Sequence, residues 1–138
     1  LYAGTGALGL EALSRGAGSA DFVENGPAAL HALKANVAAL RVRERTRIFK
    51  RDALAFVERL PERAYDIALA DPPYASRQSD RLVRRWLERP FSLVLVIEHA
   101  SEHALPGNPR VHRYGESALS LYRVSTSPAA SPCRARGR

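Results

Sequence analysis

Short apolar runs alternate along this chain with longer segments whose apolar residues recur every three or four positions. The runs at residues 20–24, 46–50, 65–70 and 92–98 predict strands, and the segments at 10–15, 27–40, 53–60 and 79–88 predict helices. Residues 111–114 and 118–122 predict a terminal β-hairpin. The alternation indicates an α/β fold, doubly wound and Rossmann-like, with a mainly parallel sheet.

Local signals refine several of these elements. Gly16 predicts the end of the first helix, Asn25 predicts an N-terminal cap with Pro27 in the first turn of the second, and Ser79 predicts a cap for the fourth. In that fourth helix the spacing places Trp86 and Leu87 on the core face. The unbroken apolar stretch at 93–97 is typical of a parallel strand covered on both faces.

Length and composition indicate one domain, residues 1–124, followed by a tail. The 138 residues suffice for a core without disulfides, and 46% are hydrophobic. The tail, residues 125–138, is rich in Ser, Pro, Ala and Arg, so we expect it to be disordered. It holds the single Cys133, which cannot form an internal disulfide and fits a reducing, cytoplasmic location.

The charge favours a nucleic-acid partner but does not establish one. The net charge is +7, and all but two of the 21 basic residues are arginine, which binds phosphate and stacks on bases. Biased codon usage would also enrich arginine. No membrane partner is expected, because the longest apolar stretch, residues 91–97, is far too short to span a bilayer.

The candidate chemistry centres on Asp71-Pro72-Pro73-Tyr74, directly after the predicted strand 65–70. Two prolines cannot continue a central strand, so a carboxylate and an aromatic ring stand at a stiff turn at its carboxyl end. Open α/β sheets bind ligands at that end. Alone, the four residues equally fit a loop-capping Asp, a strand terminator and a packed Tyr.

Three upstream positions point to the same edge of the sheet. Gly4, Gly6 and Gly9 form a GxGxxG before the first helix, where glycines allow close approach to a ligand. Glu24 ends a strand 20 residues after Gly4, a spacing typical of a ribose-binding acid, although an acid near a helix start is also stabilised by the helix dipole. Asp52 follows the next strand and predicts a helix cap, a ligand contact or both.

One further motif is a poor candidate for its usual chemistry. Residues 99–103, His-Ala-Ser-Glu-His, match a zinc-peptidase signature that requires both histidines on one face of a helix. Here the segment leaves a strand and meets Leu105-Pro106-Gly107 within two residues, so no metal site is expected.

Together these residues resemble the class I S-adenosylmethionine-dependent methyltransferases, and more narrowly the RsmD-type family, which methylates guanine N2 in 16S, small-subunit ribosomal RNA. The matching stretches are residues 1–17, 23–24, 71–74, 96–98 and 114–119. The resemblance covers about nine-tenths of the chain, all but the tail.

The resemblance implies roles for particular residues. S-adenosyl-L-methionine would be the cofactor, with contacts from Ala3, Gly4, Thr5, Gly6, Gly9, Glu24, Asn25, Asp52 and Ala53. The catalytic residues would be Asp71, Pro72, Pro73 and Tyr74: Asp71 and the Pro72 carbonyl would accept the hydrogens of the target amine, and Tyr74 would stack on the base. The expected partner is ribosomal RNA or the small ribosomal subunit, bound by a monomer.

The chain also departs from the family pattern. The family usually has an Asp just before the position of Leu1, at the end of a first strand, and a segment ahead of it. Neither is present here, so we expect a truncated enzyme whose sheet has a gap between the strands 20–24 and 65–70. We also expect the chain alone to bind cofactor weakly and to fold less stably.

Other functions are compatible with parts of the pattern. DNA amino-methyltransferases that modify adenine N6 or cytosine N4 share Asp-Pro-Pro-Tyr, but they usually carry a separate recognition region. A nicotinamide-dependent oxidoreductase would use the glycine loop but leaves residues 71–74 unexplained. A non-catalytic RNA-binding remnant is the fourth hypothesis.

Overall fold

The computed structural model of the chain describes residues 1–74 and 77–125. Its helices are α1 (Ala7–Ser14), α2 (Pro27–Ala39), α3 (Ala53–Glu58) and α4 (Gln78–Glu88). Its strands are β1 (Ala20–Glu24), β2 (Thr46–Lys50), β3 (Tyr65–Ala70), β4 (Ser92–Ala100), β5 (Arg110–Tyr114) and β6 (Ser117–Arg123). The predicted α/β class is confirmed. Of the predicted tail, residues 126–138, with Cys133, lie outside the described residues.

The strands form two neighbouring sheets. In the first, β1 pairs with β2 in parallel, with Glu24 opposite Lys50. In the second, β3 pairs with β4 in parallel, and β6 lies antiparallel between β4 and β5. Among the described residues, two of these strand pairings are parallel and two are antiparallel, so the arrangement is mixed and not mainly parallel as predicted. The terminal hairpin of β5 and β6 agrees with the prediction.

Residues 1–3 lie between the two sheets. The backbone N–H of Ala3 donates to the Val23 carbonyl in β1, at 3.0 Å. The backbone nitrogen of Leu1 donates to the Leu69 carbonyl in β3, at 2.8 Å. β1 and β3 do not pair with each other in the described part of the chain. The predicted interruption between these two strands is thus present, and residues 1–3 hydrogen-bond to both sides of it.

Two apolar clusters hold the helices against the sheets. Phe22, Leu33 and Val37 join β1 to α2, with Leu10 of α1 packed on them. The larger cluster joins α3 and α4 to β3, β4 and β6, and its members are Leu54, Val57, Ala68, Ala70, Leu82, Val83, Trp86, Phe91, Leu95, Ile97, Leu105 and Tyr122. Trp86 is a core residue, as predicted, and its indole N–H donates to Ser92. Within the described ranges, no helix is both long and apolar enough to cross a bilayer.

The predicted caps of two helices are wrong. α2 begins after Gly26, which occupies the N-cap position and has no side chain, so Asn25 lies one residue too early to cap the helix. The N–H groups of Asn25 and Gly26 donate to the Glu24 carboxylate. α4 begins at Gln78, so Ser79 lies within its first turn and is buried. Asp80 in that turn complements the helix dipole instead.

The burial of β4 and α4 also differs from the prediction. Leu95 and Ile97 are fully buried, but Leu93 is 40% exposed. Because side chains alternate along a strand, Leu93 shares the face of Leu95 and Ile97 and is exposed at the start of that face, whereas Val94 and Val96 on the opposite face are half-buried. β4 is therefore covered well on one face only, where the larger cluster packs α3 and α4. Leu87 is 44% exposed, since it lies at the edge of the apolar face of α4 and not at its centre.

Asp21 links three strands across the interruption. It receives a bidentate pair of hydrogen bonds from Arg47 in β2, at 2.9 and 2.7 Å, and one from the Tyr65 hydroxyl in β3, at 2.6 Å. Burial by itself would raise the pKa of Asp21, but these hydrogen bonds outweigh it and the pKa lies below its usual value. Burial and the bond to Asp21 raise the pKa of Tyr65. The carboxylate thus connects the two sheets while it is ionised.

We predict that Tyr65→Phe lowers the free energy of unfolding at pH 7 by about 1–3 kcal/mol, as for a lost hydrogen bond to a charged group. Because folding depresses the pKa of Asp21, its stabilisation is present above the unfolded-state value of about 3.9 and is lost as pH falls through the folded-state value. The difference in the free energy of unfolding between the wild-type protein and Tyr65→Phe should therefore decrease at acidic pH.

Urea unfolding at several pH values measures this difference. Tyr114→Phe is the matched control, because the Tyr114 side chain is 64% exposed at the edge strand β5. A pH-independent loss in Tyr65→Phe would contradict the role assigned to the Asp21 carboxylate.

Candidate functional site

The glycine loop connects residues 1–3 to α1 by a tight turn. The N–H of Gly6 donates to the Ala3 carbonyl at 2.9 Å, and Gly4 and Gly6 have φ of 56° and 88°. Both values lie in the left-handed region that glycine adopts without a Cβ penalty. A Cβ placed on Gly4 would meet nothing within 4 Å, so the backbone there faces open space. The Asn36 side chain donates to the Thr5 carbonyl at 2.9 Å and holds the loop against α2.

Gly6 and Gly9 also allow close packing of the first helix. A Cβ on Gly6 would collide with Leu33, and a Cβ on Gly9 would collide with the Phe22 ring. Because Leu33 and Phe22 are buried core residues, these two glycines let α1 approach β1 and α2 closely. The three glycines of the motif therefore divide into one that exposes backbone and two that allow close packing.

Glu24 is held at the end of β1 by backbone amides. Its carboxylate accepts from the N–H of Gly4 at 2.9 Å, of Asn25 at 2.9 Å and of Gly26 at 3.0 Å. Burial alone would raise the pKa of Glu24, but the three N–H donors outweigh it and the pKa lies below its usual value. The carboxylate thus stays ionised and fixed beside the glycine loop, and its oxygens keep lone pairs for a ligand.

Asp52 caps α3, which is one of the two roles predicted for it. Its Oδ2 accepts from the N–H of Ala55 at 2.9 Å. Ala53 is buried in the first turn of α3, so its methyl group belongs to the core. Near Asp52, the Tyr2 hydroxyl is buried with no hydrogen-bond partner among the described residues. Burial, followed by the charge of Asp52, raises the pKa of Tyr2 to about 12, so the hydroxyl keeps its proton and is available as a donor.

Asp71 lies next to a second carboxylate that sequence reasoning did not assign a role. The β3–β4 register sets Ala70 opposite Ile97, so Asp71 and Glu98 follow at neighbouring strand positions. Partial desolvation of the carboxyl group, and then the negative charge of Glu98, raise the pKa of Asp71 above its ordinary value, although the residue as a whole is exposed. Glu98 follows an apolar run of β4 much as Asp71 follows β3, and that repeated pattern could have identified it.

Tyr74 is attached to the same edge by its hydroxyl. The hydroxyl donates to Glu98 Oε1 at 2.8 Å and lies 2.9 Å from Ser117 Oγ. The hydrogen bond with Ser117 by itself lowers the pKa of Tyr74, but Glu98 and burial outweigh it and the pKa is raised. The tyrosine is 52% exposed, whereas Pro72 is buried at the turn.

The predicted site residues fall into two groups at one edge of the fold. Gly4, Glu24 and Asn25 are joined by hydrogen bonds, while Asp71 and Tyr74 share Glu98 as a neighbour. The bond from Leu1 to Leu69 sets the start of the glycine loop beside the end of β3, two residues before Asp71. The loop and the Asp-Pro-Pro-Tyr turn therefore lie at the same edge of the fold.

The histidines of the zinc-like motif have other contacts. His99 lies in β4, with its ring nitrogens 2.9 Å from the Ala100 carbonyl and 2.8 Å from Ser120 Oγ. His103 pairs with Asp80 at 3.0 Å. The motif is therefore not on a helix, and residues 1–74 and 77–125 contain no group of three or more potential ligands able to hold a metal.

Comparison with known proteins gives a family match over nearly all of the described chain. The sequence profile of the family described as Conserved hypothetical protein 95 matches residues 1–123. A Bacillus subtilis protein named "Putative rRNA methyltransferase YlbH" is 27% identical over 136 residues, covering 89% of this chain and 73% of that protein.

Solved structures show the same similarity. A hypothetical protein of Thermus thermophilus is 32% identical with a TM-score of 0.77, covering 89% of this chain and 72% of that one. An Escherichia coli protein described as "Putative methyltransferase yhhF" is 29% identical with a TM-score of 0.71, covering 88% of this chain and 71% of that one.

We predict that Gly9→Ala destabilises the fold by about 1–3 kcal/mol, as overpacking of a filled core does. The added methyl group would collide with Phe22, which is 3% exposed and cannot move without disturbing the α2 packing. Thermal or urea unfolding measures the effect.

Gly18→Ala is the control, because a Cβ there meets nothing within 4 Å and the residue lies outside α1 and β1. Equal stability of the Gly9→Ala and Gly18→Ala proteins would show that the close approach of α1 to β1 is not required.

Proposed function

Because the chain belongs to the Conserved hypothetical protein 95 family, the RsmD-type methyltransferases indicated by its motifs, we propose that it transfers a methyl group to an exocyclic amine of an RNA base. The finer proposal is that S-adenosylmethionine donates the methyl group and that guanine N2 in small-subunit ribosomal RNA accepts it. The observation that carries the proposal is the position of Asp71 and Tyr74 at the same edge of the fold as the glycine loop and Glu24, which the Leu1–Leu69 hydrogen bond brings together. The name of the Bacillus subtilis relative supports RNA as the substrate class.

The residues of the first group fit an adenosine-type cofactor. The open backbone at Gly4 is a cradle that any side chain would partly fill, and Glu24 lies beside it as a fixed acceptor for ribose hydroxyls. Asp52 has an oxygen left over from its capping bond, and the unpartnered Tyr2 hydroxyl is a donor close by. We assign the adenine amine to Asp52, and further contacts to Ala3, Thr5, Gly6, Gly9, Asn25 and Ala53.

The second group suits an amine acceptor. S-adenosylmethionine, when bound, supplies an electrophilic methyl group on a sulfonium. A base amine is a weak nucleophile, because its lone pair is delocalised into the ring. Asp71 and the Pro72 carbonyl would accept the two N–H hydrogens and orient the lone pair, and the carboxylate would stabilise the positive charge that develops on nitrogen. The stiff Pro72-Pro73 backbone keeps these acceptors in place.

The base must leave its stack to reach these acceptors. Tyr74, which is half exposed, offers an aromatic face on which the unstacked base can rest. Asp71 and Glu98 make this edge negative, which favours an amine and disfavours a phosphate. We propose that the chain acts as a cytoplasmic monomer on ribosomal RNA or on the assembled small subunit.

Tritiated S-adenosylmethionine offered with small-subunit RNA, assembled small subunits or DNA tests the substrate class. We expect incorporation into RNA, and nuclease digestion followed by chromatography should yield N2-methylguanosine. Incorporation only into DNA would favour an adenine- or cytosine-amino methyltransferase. RNA binding without incorporation would favour a non-catalytic RNA-binding protein.

We predict that Asp71→Ala lowers kcat by about 100-fold or more, the loss typical of a removed electrostatic contact to the transition state. Affinity for S-adenosylmethionine, measured by calorimetry, should be unchanged, because Glu24 and Gly4 lie in the other group.

Asp66→Ala is the matched control, an exposed Asp in the same strand region. Since the pKa of Asp71 is raised, the wild-type rate should begin to fall at a higher pH than an ordinary Asp would dictate. Near-normal turnover in Asp71→Ala would show that the Asp-Pro-Pro-Tyr motif does not take part in catalysis.

We predict that Glu24→Gln weakens S-adenosylmethionine binding by about tenfold or more, because a charged acceptor beside Gly4 is lost. Calorimetry measures the affinity, and urea unfolding reports any loosening of the loop.

Glu11→Gln is the control, since Glu11 lies exposed on α1, where its carboxylate pairs with Arg15 one turn away. Unchanged cofactor affinity in Glu24→Gln would mean that Glu24 does not bind the ribose hydroxyls.

A further inference from the structure

Three residues from separate parts of the sequence meet at the Tyr74 hydroxyl. Tyr74 follows β3, Glu98 lies near the end of β4, and Ser117 begins β6. The hydroxyl donates to Glu98 at 2.8 Å and lies 2.9 Å from Ser117. None of the roles assigned so far uses Ser117 or explains the contact between Tyr74 and Glu98.

The sheet register is what brings these residues together. β4 runs parallel to β3, with Ala70 opposite Ile97, and antiparallel to β6, with Ala100 opposite Ser117. Glu98 therefore lies between the Asp-Pro-Pro-Tyr turn and the start of β6. Because each pairing is a continuous ladder of backbone hydrogen bonds, the positions of Glu98 and Ser117 are determined by the core of the sheet and not by a loop.

The contact constrains a side chain that would otherwise be free to move. Tyr74 is 52% exposed, and an exposed tyrosine ordinarily samples more than one rotamer. Here the Pro72-Pro73 backbone restrains its Cα end, and the carboxylate and the serine restrain its hydroxyl end. A hydrogen bond to a carboxylate is stronger than one between neutral groups. The ring is thus fixed at both ends while much of its surface stays open.

We propose that Glu98 and Ser117 are positioning residues that hold the Tyr74 ring as a platform for the target base. They act through Tyr74, and they do not touch the reacting atoms. The inference rests on the proposed function, because a platform is useful only if a base is presented to Asp71. It assigns to Glu98 and Ser117 a role in substrate orientation, and it predicts that their effect requires the Tyr74 hydroxyl.

A double-mutant cycle on the full chain tests the proposal. Tyr74→Phe keeps the ring but removes the hydroxyl, and Glu98→Ala removes the acceptor. Each should lower kcat/KM for unmethylated small-subunit RNA by about tenfold, as loss of a hydrogen bond to a charged group does. The double variant should be no worse than the weaker single variant, because both changes break the same contact.

Conservative and control variants sharpen the result. Glu98→Gln should recover most of the activity, because its amide oxygen can still accept from Tyr74, and Ser117→Ala should show a smaller loss. Glu102→Ala is the matched control, an exposed Glu just after β4. Calorimetric affinity for S-adenosylmethionine should be unchanged in every variant, and unfolding midpoints identify any variant that is only destabilised.

A spectroscopic readout tests the contact without turnover. With ring-carbon-labelled tyrosine, the NMR signal that disappears in Tyr74→Phe should shift in Glu98→Ala and stay near its wild-type position in Glu102→Ala. An unshifted signal in Glu98→Ala would overturn the proposal.

The kinetic outcomes separate this proposal from the proposed function. Additive losses in the double variant would mean that Glu98 acts independently of Tyr74, on the substrate or through its charge on Asp71, which overturns its role as a positioning residue. Normal kcat/KM in Glu98→Ala, together with loss of activity in Asp71→Ala, would also overturn it and would leave the methyltransferase proposal intact. Normal activity in Asp71→Ala would count against the proposed mechanism itself.

Discussion

The parallel pairing of neighbouring strands is the constraint on which the candidate site depends. Parallel strands end at the same edge of a sheet, so side chains just beyond their carboxyl ends are brought into one crevice. Glu24 and Asp52 lie at that edge of the first sheet, and Asp71 and Glu98 at that edge of the second. These acids are distant in sequence, and only the backbone ladders bring them close.

The pKa values of Glu24 and Asp71 are shifted in opposite directions. In the first sheet, Glu24 accepts three backbone N–H donors, which hold its pKa below the usual value and keep it an anion suited to binding polar groups. In the second, burial and Glu98 raise the pKa of Asp71. A carboxylate whose negative charge the protein stabilises poorly gains more electrostatic stabilisation when a positive charge develops on a nearby amine. This contrast fits a division between a cofactor side and a substrate side.

The segment at residues 1–9 connects the two halves physically. Its backbone bonds to Val23 in one sheet and to Leu69 in the other, and the glycine loop that follows packs against Phe22 and Leu33. At the opposite ends of the strands, Asp21 joins Arg47 and Tyr65 across the same interruption. The position of the glycine loop relative to Asp71 therefore depends on contacts at both ends of β1 and β3.

Features set by local chemistry could be predicted from the sequence. The strands at 20–24, 46–50 and 65–70, the glycine turn and the Asp52 cap follow from apolar pattern, φ preference and a nearby N–H, all of which lie within a few residues. The predicted Asn25 and Ser79 caps failed because each helix begins at a residue other than the expected one: Gly26 occupies the N-cap position of α2, and α4 begins at Gln78, which leaves Ser79 buried inside its first turn. The contacts of Tyr74 with Glu98 and Ser117, and of Asp21 with Tyr65, join residues 24 to 44 positions apart, so they depend on strand order and register, which only the tertiary structure decides.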